Sequence, residues 1–400
     1  MDTGLHFGII KNSLKELSWF PDNNNLIKAI QAFNWFPDYF STIQIIEKVW
    51  FLFAWIDYIP IRVPIWGYAE KRAYHDYFLI KSLNKGALAD RFFSELHFDN
   101  LFTLNNISNH WIRIERLTKY FLTKNDPKII LATIGNSLHF VEDFYAHSNW
   151  IEYFWNHGIR ENDIPLWSDL FPLNNKPKFH SLREKIVKNK DIPLNSIFTG
   201  YFPFSNGLIP KIRKIPKTAK KHDDTRNDPG LHKDRPSRPF FSLAYNLAIR
   251  ETKVWLTKLF QEGYLSEKML KNIEKVISDP WYDKILLGRK RAYILSKKTE
   301  RWNGNNPLPN ISITIESIKR KKDVLEGIIK LNTTENIFKS GRNFNGAFVE
   351  IIANYYGKQE KFYQSSDKIG KICFSIPINR KNEFSSVNVN YGTHQLEISI

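Results

Sequence analysis

Four hundred residues, 42% hydrophobic and 15% aromatic, are enough to bury a sizeable core, which excludes a disordered chain and suggests two or three domains. Lys and Arg outnumber Asp and Glu by 58 to 41, a net charge of +17; this favours approach to polyanions, anionic membrane surfaces and nucleic acids alike. Cys373 is the one cysteine, which rules out an internal disulfide framework and a thiolate metal site, so any metal must be held by His, Asp or Glu.

Residues 1–10 show no basic segment followed by an apolar run and a small-residue cleavage site. No signal peptide is expected, and the chain is expected to be cytoplasmic at synthesis, with export left to a dedicated secretion system. The most apolar stretch, Val49–Trp66, is interrupted by Asp57, Pro60, Arg62 and Pro64, so a transmembrane segment is excluded. It reads as a core helix or as an aromatic-rich surface that dips into lipid.

Helical periodicity runs from the start to about residue 300, with apolar residues at three- and four-residue steps in Leu5–Leu17, Ile43–Trp55, Trp111–Leu122, Ile129–Tyr145 and Ser242–Phe260. Asp126-Pro127 is a helix entry, because Asp caps free amides and Pro fits the first turn. Residues 211–239 turn to Lys, Arg, Asp and Pro and read as a long basic loop. After Asn303-Gly304-Asn305-Asn306-Pro307 the period changes to alternation: strands are expected at Ile311–Ile318, Phe348–Ile352, Lys371–Ile378, Val387–Tyr391 and Leu396–Ile400. The expected fold is therefore mainly α over residues 1–300, with a C-terminal β-sandwich over 305–400 as a membrane- or partner-binding module.

The strongest chemical signal is Leu138-His-Phe-Val-Glu-Asp-Phe-Tyr-Ala-His-Ser-Asn-Trp150, in which His139, Asp143 and His147 stand at i, i+4 and i+8. Steps of four keep side chains on one helical face, drifting about 40° and rising about 6 Å each time. Imidazole nitrogen and carboxylate oxygen both suit zinc, and a carboxylate can bridge two ions. Spacing alone fits a hydrogen-bonded surface row equally well. The apolar flanks Ile134, Leu138, Val141 and Phe144 weigh against a solvated face.

The segment from His139 to Trp150 resembles the signature of heterokaryon-incompatibility HET-C-type proteins, which are in turn similar to zinc-dependent phospholipase C and the P1-type nucleases. Further stretches resemble that superfamily in the right order: His6-Phe-Gly-Ile-Ile, Ala32-Phe-Asn-Trp-Phe-Pro-Asp38, Glu95-Leu-His-Phe-Asp-Asn100 and Leu231-His-Lys-Asp234. The resemblance covers roughly residues 1–265 and implies an all-helical fold holding two or three zinc ions. It implies that Asp38, His97, His139 and Asp143 hold one zinc and that His147 with His222 or His232 holds a second. His6, with Asp143 bridging, would complete a third. His75 competes with His97, and Asp228 falls where the family places a His. Asp38 or Glu142 is the expected group orienting the attacking water.

The activity implied is hydrolysis of a phosphodiester by metal-activated water, of phospholipase C type on phospholipids. A P1-like nuclease or nucleotidase is the second reading, and a non-enzymatic HET-C-type toxin or incompatibility protein with structural zinc is the third. Aromatics in Trp35–Trp66, Trp150–Trp155 and Leu166–Phe171 suit a lipid surface; the basic loop beside stacking rings suits nucleic acid.

Overall fold

A computed structural model describes residues 3–34, 97–171, 184–187, 190–193, 196–201, 216, 219–222, 230–234, 238–277, 311–333, 348–355, 358–367, 369–378 and 384–399. Asp38, His75, Asp228, the Val49–Trp66 stretch and most of the basic loop lie outside these residues.

Eight α-helices stand among the described residues before residue 280: α1 (Thr3–Lys15), α2 (Asn24–Asn34), α3 (Leu104–Leu122), α4 (Pro127–His147), α5 (Trp150–Asn156), α6 (Trp167–Leu170), α7 (Phe241–Gln261) and α8 (Glu267–Val276). None is long and apolar enough to cross a membrane. The local signals explain where they begin. Thr103 Oγ1 accepts from the Asn106 amide at the head of α3, and Asp126 accepts from the amides of Lys128 and Ile129 ahead of Pro127 in α4. Ser266 does the same for Met269 at α8.

α4 is the organising element. Every residue from Ile130 to His147 is buried, and α1, α2, α3, α7 and α8 all pack on it, so its polar residues must find partners inside the protein. Its approach to α2 is close because Gly135 has no side chain: a Cβ there would stand 2.5 Å from Phe33 Cβ, 2.7 Å from the Ile30 carbonyl oxygen and 2.8 Å from the Asn34 amide. That contact sets Asn34, at the end of α2, against Glu142 on α4, with Asn34 Nδ2 donating to Glu142 Oε2 at 3.1 Å.

A small antiparallel hairpin, β1 (Glu184–Val187) with β2 (Lys190–Pro193), lies between α6 and α7 in the chain. The C-terminal region forms two antiparallel sheets. One has the order β3 (Ile311–Lys321), β4 (Val324–Thr333), β7 (Lys371–Pro377); the other has the order β6 (Lys358–Ser365), β5 (Phe348–Tyr355), β8 (Phe384–Tyr391), β9 (His394–Ser399). Burial alternates with period two, as one-sided sheets require: Leu325, Ile329 and Leu331 on β4, Ile372, Phe374 and Ile376 on β7, Val349, Ile351 and Ala353 on β5. β4 and β6 are strands that alternation did not reveal. Gly327 breaks the apolar alternation of β4, since a Cβ there would enter the Phe374 ring, 2.0 Å from its nearest atom. β6, Lys-Gln-Glu-Lys-Phe-Tyr-Gln-Ser, is a charged edge strand.

Candidate metal centre

Four segments converge at one end of α4: the head of α1 with His6, the His97–Leu101 turn, the Ser196–Tyr201 ribbon with His222 behind it, and Leu231–Asp234. The ribbon ties them together. Gly200 donates its amide to the His147 carbonyl (2.9 Å) and accepts from the Asn100 amide (2.7 Å), while Thr199 pairs with Leu101 and His222 donates to the Tyr201 carbonyl. Gly200 is also a close approach, since a Cβ there would lie 2.9 Å from the His222 Cα. The His97–Leu101 turn bends through left-handed backbone at Phe98 (φ 52°) and Asn100 (φ 61°), a conformation that side-chain-bearing residues hold only when the surroundings require it.

One group of ligand-type atoms gathers around Asp143. Its Oδ2 lies 3.0 Å from His97 Nδ1 and 3.0 Å from His139 Nε2, and its Oδ1 lies 3.3 Å from His6 Nε2. The two imidazole nitrogens of His97 and His139 stand 3.0 Å apart, and the His6 and His139 rings stack at 4.4 Å. Zinc at 2.0–2.2 Å from each ligand in a tetrahedron separates ligand atoms by about 3.3–3.6 Å, so spacings of 3.0–3.3 Å would need to open by only a few tenths of an ångström to admit a cation. His6, His139 and Asp143 are fully buried.

A second group surrounds His147. Its Nε2 meets Asp234 Oδ1 at 2.9 Å, and its Nδ1 is 3.4 Å from Asp99 Oδ2. Asp234 Oδ2 in turn lies 3.2 Å from His232 Nδ1 and 3.6 Å from His222 Nε2. Asp99, His147 and His222 can place one ligand atom each within 4.8 Å of one another, as can His6, His139 and Asp143. The i, i+4, i+8 row is divided between the groups because three positions eight residues apart extend about 12 Å along the helix. His139 and Asp143 belong to the first group and His147 to the second.

Three observations show that these groups fit a positive ion. First, Asp99 is wholly buried, yet neither carboxylate oxygen has a hydrogen-bond partner, and the His147 imidazole at 3.4 Å is the positive group beside it, so a bound cation would offset part of its desolvation. Second, an imidazole in each group has its far nitrogen tied down: His6 Nδ1 to Glu142 Oε2 and His147 Nδ1 to the His97 carbonyl. Nε2 of His6 is thereby turned towards Asp143 and Nε2 of His147 towards Asp234, the arrangement by which proteins orient metal-binding histidines. Third, the protonation equilibria show that the imidazoles and carboxylates are packed closely enough to govern one another's charge. Burial alone would depress the His6 imidazole, but Asp143 and Glu142 outweigh it and raise it to about 9. Burial likewise opposes the His147 cation, and Asp143, Asp234 and Asp99 push its pKa well above the ordinary value. Burial would raise Asp143, but His139, His147 and His6 are among the positive charges that hold it well below the usual carboxylate range.

The sequence-derived residues His6, His97, His139, Asp143, His147, His222 and His232 are thus brought together. His6 joins the group of His139 and Asp143, and His222 and His232 both flank Asp234. Glu142 is fully buried on the Nδ1 side of His6, bonded to His6 and Asn34, and burial raises its pKa. Asp99 and Asp234 are site residues that the motif reading passed over. Each follows a histidine by two positions, His97-Phe-Asp99 and His232-Lys-Asp234.

His97 and Asp234 are the partly open members, each with 13% of its side chain accessible, so solvent reaches the centre on their side. No family model matches the chain, and neither a curated protein nor a solved structure matches it.

Proposed function

We propose that the chain is a zinc-dependent phosphodiesterase of phospholipase C type, with an all-helical fold like that of the phospholipase C and P1-nuclease superfamily and its two C-terminal sheets stacked as a membrane-docking sandwich. The observation that carries the reading is the paired group of buried His and Asp side chains sharing α4, with Asp99 left without a hydrogen-bond donor. His6, His97, His139 and Asp143 would hold one zinc, and His147, His222, His232, Asp234 and Asp99 a second; Asp38 remains the further ligand and water-orienting group that the resemblance implies.

Bound zinc supplies a water acidified towards neutrality and positive charge for a phosphodiester. The chain's own residues do the rest. Glu142, anchored by Asn34, holds the His6 ring so that Nε2 faces Asp143. The His97 carbonyl does the same for His147. The burial of His6, His139 and Asp143 keeps bulk water from one side, so a substrate phosphate approaches past His97 and Asp234. The net charge of +17 favours approach to an anionic lipid surface.

Zinc-loaded protein incubated with mixed phosphatidylcholine and phosphatidylglycerol vesicles is expected to release phosphorylated head group and diacylglycerol, and a chelator is expected to abolish release. Cleavage of single-stranded DNA or RNA in place of lipid would move the assignment to a P1-like nuclease. Turnover of neither by zinc-loaded protein would leave a structural role for the metal.

A further inference from the structure

Lys233 stands between His232 and Asp234, and its side chain is 1% exposed. A lysine so deeply buried is rare unless every ammonium proton is engaged. Here all three are: Nζ donates to the Ser148 carbonyl at 2.8 Å and to the Leu231 carbonyl at 2.9 Å, and pairs with Glu152 Oε1 at 2.8 Å. The backbone of the same residue is pinned as well, its amide donating to the Ala146 carbonyl at 3.0 Å. Ala146 and Ser148 flank His147 in the chain, and Glu152 lies on the following helix, α5.

Lys233 therefore fastens an otherwise irregular segment to the C-terminal end of α4 at the one residue that separates two candidate ligands. With Lys233 turned into the α4–α5 junction, His232 and Asp234 are turned towards His147 and His222, where the distances place them. Other ties on this segment include backbone bonds from Leu231 to Lys221 and His222 and from His232 to His222, and the Arg238 Nε bond to the His232 carbonyl. These hold the His232 side of the segment, and Lys233 holds it at the residue next to Asp234.

We propose that Lys233 is the positioning residue of the second metal group: it docks Asp234 and His232 onto His147, while the group around Asp143 assembles without it. This rests on the two-metal reading above, and one experiment separates the failures of the two. Zinc per chain is measured by elemental analysis on the full-length wild type and on Lys233→Met, alongside a cobalt(II) titration followed by its visible absorption.

Wild type is expected to hold at least two ions. Lys233→Met is expected to hold one fewer, with the weaker cobalt site loosened about 10- to 100-fold, the usual cost of losing a group that orients ligands, and the tighter site unchanged. A purely structural lysine would lower the melting temperature of apo and zinc-loaded protein equally and leave the zinc count and the cobalt spectrum at wild-type values; that result overturns the proposal. Zero zinc in the wild type overturns the metal reading itself. Should Lys233→Met not fold, Glu152→Gln, whose side chain is 28% exposed, removes the charge of one anchor. It is expected to weaken the second cobalt site several-fold, and an unchanged titration would overturn the proposal by the same logic.

Discussion

The C-terminal sheets bury Leu325, Ile329, Val349, Ile351, Ile372, Val387 and Val389, and Ser366 is the one buried polar residue among their described positions. The helical region buries His6, Gln31, Asn34, Asp99, His139, Glu142, Asp143, His147, His222, His232, Lys233 and Glu251 in the same protein. An apolar core is stable by itself, since area removed from water is worth about 25 cal/mol per Å² whatever else is bound. A core of imidazoles and carboxylates carries a desolvation cost that hydrogen bonds and ion pairs only partly offset, and it is retained where those groups do something. The difference separates a region whose residues serve packing from one whose interior carries groups that could hold a metal ion.

That contrast can be broken by exchanging the two kinds of change. Ile351→Ala, at a fully buried position of β5, is expected to lower stability by about 2–5 kcal/mol in denaturant unfolding, with zinc content unchanged. A loss of zinc in that variant would mean that the two regions are not energetically separate. Gly135→Ala drives a methyl group into Phe33 and the backbone of α2 and is expected to cost about 1–3 kcal/mol. Unlike the first change it also shifts Asn34 from Glu142, so zinc affinity is expected to fall with stability, read by competition with a chromogenic chelator. The smallest effect belongs to a helix start remote from the cluster: Asp126→Ala removes the acceptor for the Lys128 and Ile129 amides and is expected to cost about 1 kcal/mol while leaving the zinc count intact.

Sequence made the helical core of the site legible because its signals are local. Asp126-Pro127 marked the entry of α4, the apolar flanks placed the row inside, and the four-residue spacing of His139, Asp143 and His147 needed no tertiary knowledge. His6, His97, His222 and His232 were reached through order along the chain, and their convergence depends on contacts that no local pattern encodes. The Gly200 backbone bridging His147 and Asn100 is such a contact. Asp99 and Asp234 were missed because a carboxylate two residues from a histidine is common on any surface, and only burial without a donor singles out Asp99. In the sheets, apolar alternation in the sequence marks β3, β5, β7, β8 and β9. It failed for β4, where Gly327 makes room for Phe374, and for β6, whose edge position is bought with charge.

The central claim is that the interior of the helical region is a metal centre organised by Asp143, whose carboxylate lies within 3.0–3.3 Å of three imidazoles. Elemental analysis of zinc-loaded, extensively dialysed wild type beside Asp143→Asn tests it most directly. The account predicts at least two zinc ions per wild-type chain and the loss of at least one in a variant that remains folded by circular dichroism. A wild-type chain with no zinc, or an Asp143→Asn chain that keeps the full complement, would contradict it.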